Sequence, residues 1–317
     1  MVALFGGIMV VIAILMIARA LQPPNIRIGI GIFTSGGVAT GLDPTRDDVY
    51  VKRRAALIDT WFPSTSDSRR SLREIEGIDF VFVAVRPHPD SGRVPAPDLL
   101  ALEKRAPGSV MWLPDADPRL QQGHASLPYM TAAYLDAARQ HWDSSGLDFV
   151  VKMDDDLYLS PERLSLAAIG WRREAADYIG CMTRGPVWMD PHLRWAEKST
   201  STNALILGNE YPVHALGQIY ALSAYALRNL ISREHRRYLT NEDVSVGMWM
   251  MGLDVTFKSE LRLCRNECTE DYIAVTDHPV KAGLRDPAHQ MYDLHADPAC
   301  RDLGVVVPAE GQERSTS

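Results

Sequence analysis

Residues 147–156 read LDFVVKMDDD, an apolar run of strand length ending in three consecutive carboxylates. An apolar run this short, bounded by polar residues, reads as a strand buried on both faces, as in a parallel sheet. Open sheets of that kind bind ligands at the carboxyl ends of their strands. Asp154, Asp155 and Asp156 fall at such an end. Three adjacent like charges repel one another, so a folded chain tolerates them best beside a cation or in full solvent. Oxygen ligands of this sort suit Mn2+ or Mg2+, which usually take one or two protein carboxylates plus substrate phosphates. A metal so placed would bridge a diphosphate and neutralise the charge it gains as a leaving group. The plainer alternative is a solvated turn that caps a helix opening near Pro161.

Upstream of this stretch, residues 26–33 (IRIGIGIF), 78–85 (IDFVFVAV) and 109–113 read as further strands. Helical spacing marks residues 49–61, 97–105 and 128–142, with Pro63 stopping the first and Pro128 suited to a first turn. Residues 34–48, rich in Gly, Thr and Asp, read as a loop. Strands alternating with helices predict an α/β fold, a mostly parallel open sheet flanked by helices on both faces. Downstream, residues 161–172 read as a helix, 176–182 as a strand, and 219–222 as a short strand leading into a helix from 224 to about 236. Asn241 caps a helix over 242–251, followed by a strand over 253–257. From Cys264 onward the periodicity is weak, which predicts irregular structure pinned by cysteines. No composition break divides residues 26–303, so they form one domain, with 304–317 as a flexible tail.

The 317 residues are 46% hydrophobic and 23% charged, an ordinary globular composition that excludes a disordered or fibrous chain. Lys and Arg number 33 against 40 Asp and Glu, for a net charge of −7. That balance offers no basic surface for phosphates and argues against a nucleic-acid partner. Residues 2–18 carry no charge and are long enough for a marginal transmembrane helix. Ala18-Arg19-Ala20 has the form of a cleavage site, and a buried core helix is the third reading. The extreme terminal position, followed by Gln22-Pro23-Pro24, favours a signal anchor over residues 1–21 with a short stem at 22–25. In an oxidising lumen, Cys181, Cys264, Cys268 and Cys300 suggest at least one disulfide. Zinc held by Cys264, Cys268, His295 and Cys300 is the competing use, on a spacing that matches no common finger. No Asn-x-Ser/Thr sequon occurs.

Asn241-Glu242-Asp243 opens the helix that continues into Val244-Ser245-Val246-Gly247. Acidic residues in a first turn serve the cap and the macrodipole. The same position keeps a carboxylate ionised, and an ionised carboxylate can take a proton from an acceptor hydroxyl. Gly217-Gln218-Ile219-Tyr220 precedes a strand and either lets backbone approach a ligand or forms a plain turn. Trp61, Trp188 and Trp195 could stack on sugars or simply pack in the core. No Gly-x-Gly-x-x-Gly follows the first strand and no Gly-x-Ser-x-Gly occurs, which argues against a nicotinamide dehydrogenase and a serine hydrolase.

Taken in order, these residues resemble glycosyltransferase family 31, the β1,3-galactosyltransferase type. Arg53-Arg54-x-x-Leu57-x-x-Thr60-Trp61 is similar to that family's first motif, and Lys152-Met153-Asp154-Asp155-Asp156 to its metal motif. Tyr211-Pro212, Gly217 to Ser223, and Glu242-Asp243-Val244-Ser245-Val246-Gly247 resemble the third and fourth. Gly180-Cys181-Met182 with Gly185-Pro186-Val187 is closest to the plant and algal branch, which includes hydroxyproline O-galactosyltransferases. The resemblance implies a GT-A fold, a UDP-sugar donor such as UDP-galactose, Mn2+, inversion at the anomeric carbon and a glycan or glycoprotein acceptor. It also implies a single-pass type II protein of the Golgi membrane with a luminal catalytic domain. Carried over by position, Asp156 holds the metal with His295 as a second ligand, and Asp154 contacts the ribose side of the nucleotide. Asp243 is the base, beside Glu242, while Asp155, Arg53, Arg54 and Gly217 line the donor site. Two positions depart from the pattern: Ile58 stands where the family usually has arginine, and Met130 where lysine is common. Other UDP-hexoses (UDP-GlcNAc or UDP-GalNAc) and a catalytically weak luminal glycan-binding homologue are the alternatives.

Overall fold

In a computed structural model, residues 26–39, 49–113, 118–121, 126–142, 146–190, 192, 196–197, 207–276 and 287–301 are described. The expected anchor, stem and C-terminal tail, and Trp195, lie outside them. Among the described residues no helix is long and apolar enough to cross a membrane.

The chain alternates strand and helix through its first half. β1 (Ile28–Phe33) and the short β2 (Gly37–Ala39) precede α1 (Val49–Thr60) and α2 (Ser66–Ile75). β3 (Ile78–Val85), β4 (Arg93–Pro95), α3 (Pro97–Arg105) and β5 (Val110–Leu113) follow. Then come α4 (Leu127–His141), β6 (Phe149–Asp154), β7 (Leu157–Leu159) and α5 (Pro161–Arg173). The second half holds β8 (Tyr178–Thr183), β9 (His214–Ser223), α6 (Ala224–Asn229), α7 (Glu242–Met251), β10 (Phe257–Ser259) and β11 (Ala274–Thr276). It closes on α8 (Pro287–Ala296) and α9 (Pro298–Arg301).

Seven strands form one sheet in the order β10-β8-β9-β6-β1-β3-β5. β6, β1, β3 and β5 are mutually parallel, with Ile28 level with both Phe149 and Ile78. β8 and β10 are parallel to each other, and β9 alone runs antiparallel to both its neighbours. The mixed α/β sheet is therefore mostly parallel, as the alternation predicted.

Ile28, Ile30 and Ile32 are almost wholly buried on one face of β1, where α1, α3, α5 and α8 contribute to the same core. Each such side chain stabilises the fold by about 1.5–3 kcal/mol. On the other face, Gly29 and Gly31 admit aromatic rings from the α4 segment. A Cβ at Gly29 would lie 2.4 Å from the Trp142 ring, and one at Gly31 equally close to Tyr134. Tyr134 uses that approach to donate its hydroxyl to the Val151 carbonyl oxygen, 2.7 Å away.

Several elements differ from expectation. α2 gives no sequence stripe because it is strongly polar; a capping box between Thr65 and Ser68 starts it. The expected helix over 224–236 stops at Asn229, since Leu230 turns extended and buries its side chain. β9 is ten residues long instead of four, and it contains Gly217, which was expected to precede the strand. The strand expected over 253–257 starts at Phe257 and runs to Ser259. The C-terminal region is partly helical, and two disulfides pin it: Cys181–Cys264 and Cys268–Cys300. Both pairings consume the thiols, which rules out the zinc reading.

Candidate active site

Parallel strands bring their carboxyl ends to one edge. The tips of β1 and β6 meet there, with Phe33 level with Asp154. β9, running the opposite way, starts at the same edge, since Met153 pairs with Ile219 and Gly217 lies two residues before it. The N-terminus of α7 packs onto β9 at this point.

The three aspartates point to different surroundings. Asp155 turns inward with 3% of its side chain exposed, accepting hydrogen bonds from Thr34 Oγ1 (2.6 Å) and Arg53 (3.1 Å). Burial, opposed by Arg53 and reinforced by the neighbouring aspartates, pushes its carboxyl up to about 7. Asp154 and Asp156 keep 38% and 32% of their side chains open. Lys152 holds Asp154 at 2.7 Å, and Arg53 holds Asp156 at 3.1 Å. Arg53 thus bridges two of the three carboxylates.

Arg54 is placed otherwise than its sequence position suggested. It is 1% exposed, and its guanidinium makes a bidentate pair with Asp98 (2.6 and 3.0 Å) while also donating to Thr34 Oγ1 and the Ser35 carbonyl oxygen. Every one of those contacts is scaffold, so Arg54 fixes the loop after β1.

Glu242 and Asp243 begin α7, and Asn241 Oδ1 accepts from the Asp243 N–H at 3.0 Å. Glu242 is 6% exposed and its Oε1 accepts from Thr131 Oγ1 and the Tyr220 hydroxyl, both at 2.8 Å. Lys152 lies 3.7 Å from its other oxygen. Asp243 is half-buried and accepts from the Gly217 N–H at 2.9 Å. A side chain at residue 217 would collide with it, because a Cβ there would sit 2.0 Å from Asp243 Oδ1. The room over Gly217 thus belongs to the Asp243 carboxylate. The helix terminus was expected to keep Asp243 ionised, yet burial and the Glu242 charge push its proton affinity well above the ordinary carboxylate value. Like charge and desolvation outweigh the macrodipole here.

Lys152 and Tyr220 were not singled out as site residues; Lys152 ties the two acidic groups together, and Tyr220 holds Glu242. Lys152 is 3% exposed, pairs with Asp154, lies near Glu242 and donates to the Gly217 carbonyl oxygen. Its lone buried cation in an apolar strand was the available signal, since such a charge demands partners.

His295 comes from α8. Its Nδ1 lies 3.1 Å from the Tyr158 hydroxyl, two residues beyond Asp156 on β7. α8 is held against α1 by a hydrogen bond from the Tyr292 hydroxyl to Asp59 (2.7 Å). Among the described residues no three His, Cys, Asp or Glu side chains converge as a complete metal cage. The open carboxylates of Asp154 and Asp156 suit a hard divalent cation that completes its shell with diphosphate oxygens and water. Ile58 and Met130 are both partly buried against the core, on α1 and α4 respectively, where aliphatic chains pack and a charge would need a partner.

The Galactosyltransferase family model matches residues 52–260. The chain is 36% identical over 250 residues to probable beta-1,3-galactosyltransferase 13 of Arabidopsis thaliana, covering 78% of this chain and 68% of the relative. It is equally identical over 275 residues to probable beta-1,3-galactosyltransferase 12 of the same plant, covering 86% and 68%. A glycosyltransferase involved in glycosylation of the major capsid of PBCV-1 overlays 84% of this chain and 99% of its own with a TM-score of 0.40 and 11% identity, a likeness too slight to bear on function.

Proposed function

The chain belongs to the Galactosyltransferase family and is a glycosyltransferase; from that footing we propose that it transfers galactose from UDP-galactose to a hydroxyl of a glycan or glycoprotein, with inversion. The observation that carries this reading is Asp243. A half-buried carboxylate with raised proton affinity, seated on the Gly217 N–H, opens toward the same sheet edge as Asp154 and Asp156.

In a single displacement the acceptor oxygen attacks the anomeric carbon as the bond to UDP breaks, and the electron pair leaves on the β-phosphate oxygen. Asp243 takes the acceptor's proton, and a base in that position contributes about 10²–10⁴-fold. Glu242 raises the proton affinity of Asp243 by its charge and holds the start of α7 through Thr131 and Tyr220. Asp156, with His295 behind Tyr158, would hold Mn2+ or Mg2+, and Asp154 the ribose side of the nucleotide. A bound divalent cation would supply neutralisation of the charge that gathers on the leaving diphosphate. Arg53, already bridging Asp155 and Asp156, orients the metal carboxylate. Residues 1–21 would anchor the chain in the Golgi membrane with the catalytic domain in the lumen.

Purified full-length chain incubated with UDP-galactose, UDP-GlcNAc or UDP-GalNAc and Mn2+ tests this, with UDP release followed with and without acceptor. Release confined to UDP-galactose supports the reading, release confined to another donor reassigns the hexose, and UDP binding without turnover points to a glycan-binding homologue. Asp156→Ala is expected to abolish metal-dependent UDP binding, measured by calorimetry with and without Mn2+.

A further inference from the structure

Lys152 is a charge buried in the middle of the sheet, level with Gly31 of β1 and Tyr220 of β9. Its ammonium lies 5.3 Å from the centre of the Phe33 ring and 5.9 Å from that of Tyr220, so an aromatic wall flanks it on each neighbouring strand. An ammonium has three N–H donors, and three acceptors from three different elements surround this one. They are Asp154 Oδ1 at 2.7 Å on β6, the Gly217 carbonyl oxygen on β9, and Glu242 Oε2 at 3.7 Å at the start of α7. Burial alone would favour loss of the Lys152 proton, but Asp154, Glu242 and Asp243 outweigh burial and keep it charged.

Asp243 is tied to this tripod from two sides. Gly217, whose carbonyl oxygen takes the ammonium, gives its own N–H to Asp243 Oδ2 at 2.9 Å. Glu242, which the ammonium faces, directly precedes Asp243 and shares the first turn of α7. Three carboxylates, Asp154, Glu242 and Asp243, thus gather around one cation. The other titratable groups that feel the acidic pair are Tyr178 on β8 and Tyr220 and His214 on β9. Burial pushes both phenols up and the imidazole down, which leaves all three neutral at pH 7. Among the described groups around the base, Lys152 is therefore the counter-charge.

We infer that Lys152 is a positioning residue for the transfer, its ammonium fixing the seat of the base Asp243 against the donor-side carboxylate Asp154. It acts through Gly217, Glu242 and Asp154 and takes no proton from the acceptor. Without the ammonium, Asp154 and Glu242 would face each other as uncompensated like charges, and the Gly217 carbonyl would lose its partner. Asp243, whose proton affinity Lys152 lowers against burial and Glu242, would bind its proton more tightly still. A base that already carries a proton cannot take one from a hydroxyl. The inference rests on the transfer reading above and adds the residue that joins its donor half to its base half.

The test is the pH dependence of kcat with UDP-galactose, Mn2+ and methyl β-galactoside, for the full chain and its Lys152→Met, Glu242→Gln and Lys152→Met/Glu242→Gln variants. Methionine keeps most of the stem and removes the charge. In Lys152→Met the acid limb of the profile is expected to move up by about 1 pH unit or more, because an opposite charge close to a carboxylate lowers its pKa by about 1–3 units. Glu242→Gln should move the limb the other way. In the double variant one positive and one negative charge are lost together, and the limb should return most of the way to that of the unaltered chain. A lysine with a merely structural role would lower kcat equally at every pH, leave the limb in place and make the double variant worse than either single one; that pattern overturns the inference. If Lys152→Met does not fold, the double variant decides alone: a folded, active protein with its limb near the unaltered position supports the inference, and its absence refutes it. Should the unaltered chain show no transfer, the transfer reading falls separately. Carboxyl 13C titration of Asp243 by NMR then decides the part played by Lys152, a higher apparent pKa in Lys152→Met supporting it and an unchanged one refuting it.

Discussion

Glu242 and Asp243 are adjacent carboxylates that the fold sends to different work. Glu242 is walled in by two hydroxyls and Lys152, whereas Asp243 rests on a backbone N–H and stays half-open. Asp243→Asn is expected to cut kcat by about 10²–10⁴-fold while sparing UDP binding. Because the folded proton affinity of Asp243 is raised, its favourable contribution to stability is complete only below the unfolded pKa and is lost as pH rises through the folded value. At neutral pH the carboxylate is therefore a cost to the fold, and the same substitution should raise Tm there by calorimetry. Turnover in the unaltered chain should fall with acidification well before an ordinary aspartate would titrate, near 4. Gly217→Ala pushes a methyl group into the space of Asp243 Oδ1; it is expected to lower kcat far more than donor KM in steady-state assays. The acid triplet and the acidic pair were legible in the sequence because carboxylates at a strand end or helix start are visible as pattern. Gly217 was visible too, but its function was not, since what fills the space above it comes from a helix 26 residues onward. Arg54 shows the reverse failure: motif position cannot tell an inward guanidinium from an outward one.

At the scale of elements, α2 shows how a polar helix docks through a charged side chain. Arg69, 6% exposed, reaches from its polar helix into the layer beneath and pairs with Asp79 on β3 at 2.9 Å, while Arg73 approaches the same oxygen and Trp142 Nε1 donates to the other at 3.0 Å. Burial raises the Asp79 proton affinity, but the two arginines and the indole outweigh it and hold the carboxyl below its usual range. A depressed folded pKa means stabilisation present above the unfolded value, about 3.9, and lost as pH falls through the folded one. Asp79→Asn is expected to destabilise the domain by about 3–5 kcal/mol, because it leaves the buried Arg69 charge without its opposing carboxylate. Urea titrations at neutral pH measure that loss, and the difference between the proteins should shrink below pH 4. The same physics explains which elements could be foreseen. β1, β3 and β6 are written in apolar runs, and α3 is opened by Pro97 and closed after a basic last turn. α2 shows little apolar pattern because the buried polar contacts of Arg69, added to Leu72 on the core, dock it. α6 is cut short by a backbone turn at Leu230 that buries an apolar side chain without helical geometry.

Across the whole molecule, the candidate site depends on a region far from it in sequence. His295 reaches Tyr158 only because α8 and α9 fold back over α1 and the β7–β11 pair, a placement no local pattern encodes. Beyond the burial of Ala288 and Met291 in the core, that region is tied down by Tyr292 on Asp59, the Tyr272 hydroxyl on the Cys300 carbonyl (2.5 Å), and the Cys268–Cys300 disulfide, its cysteines 32 residues apart. The cysteines were legible as cross-links, but not their pairing, and weak periodicity hid the helices between them. Closing a loop of this length stabilises a fold by about 3–4 kcal/mol, chiefly by restricting the unfolded chain. The bond serves a second purpose if His295 is a metal ligand. With the disulfide gone, only noncovalent packing and hydrogen bonds keep α8 in place, and the local opening of such a terminal segment costs less than global unfolding. The double variant Cys268→Ser/Cys300→Ser is therefore expected to do two separable things. Tm should fall, and at a temperature where both proteins remain folded, the Mn2+ concentration for half-maximal UDP release should rise. His295→Ala in the intact disulfide background should reproduce the second effect without the first. A double variant with lowered Tm but unchanged Mn2+ dependence would confine the disulfide to stability and separate His295 from the metal.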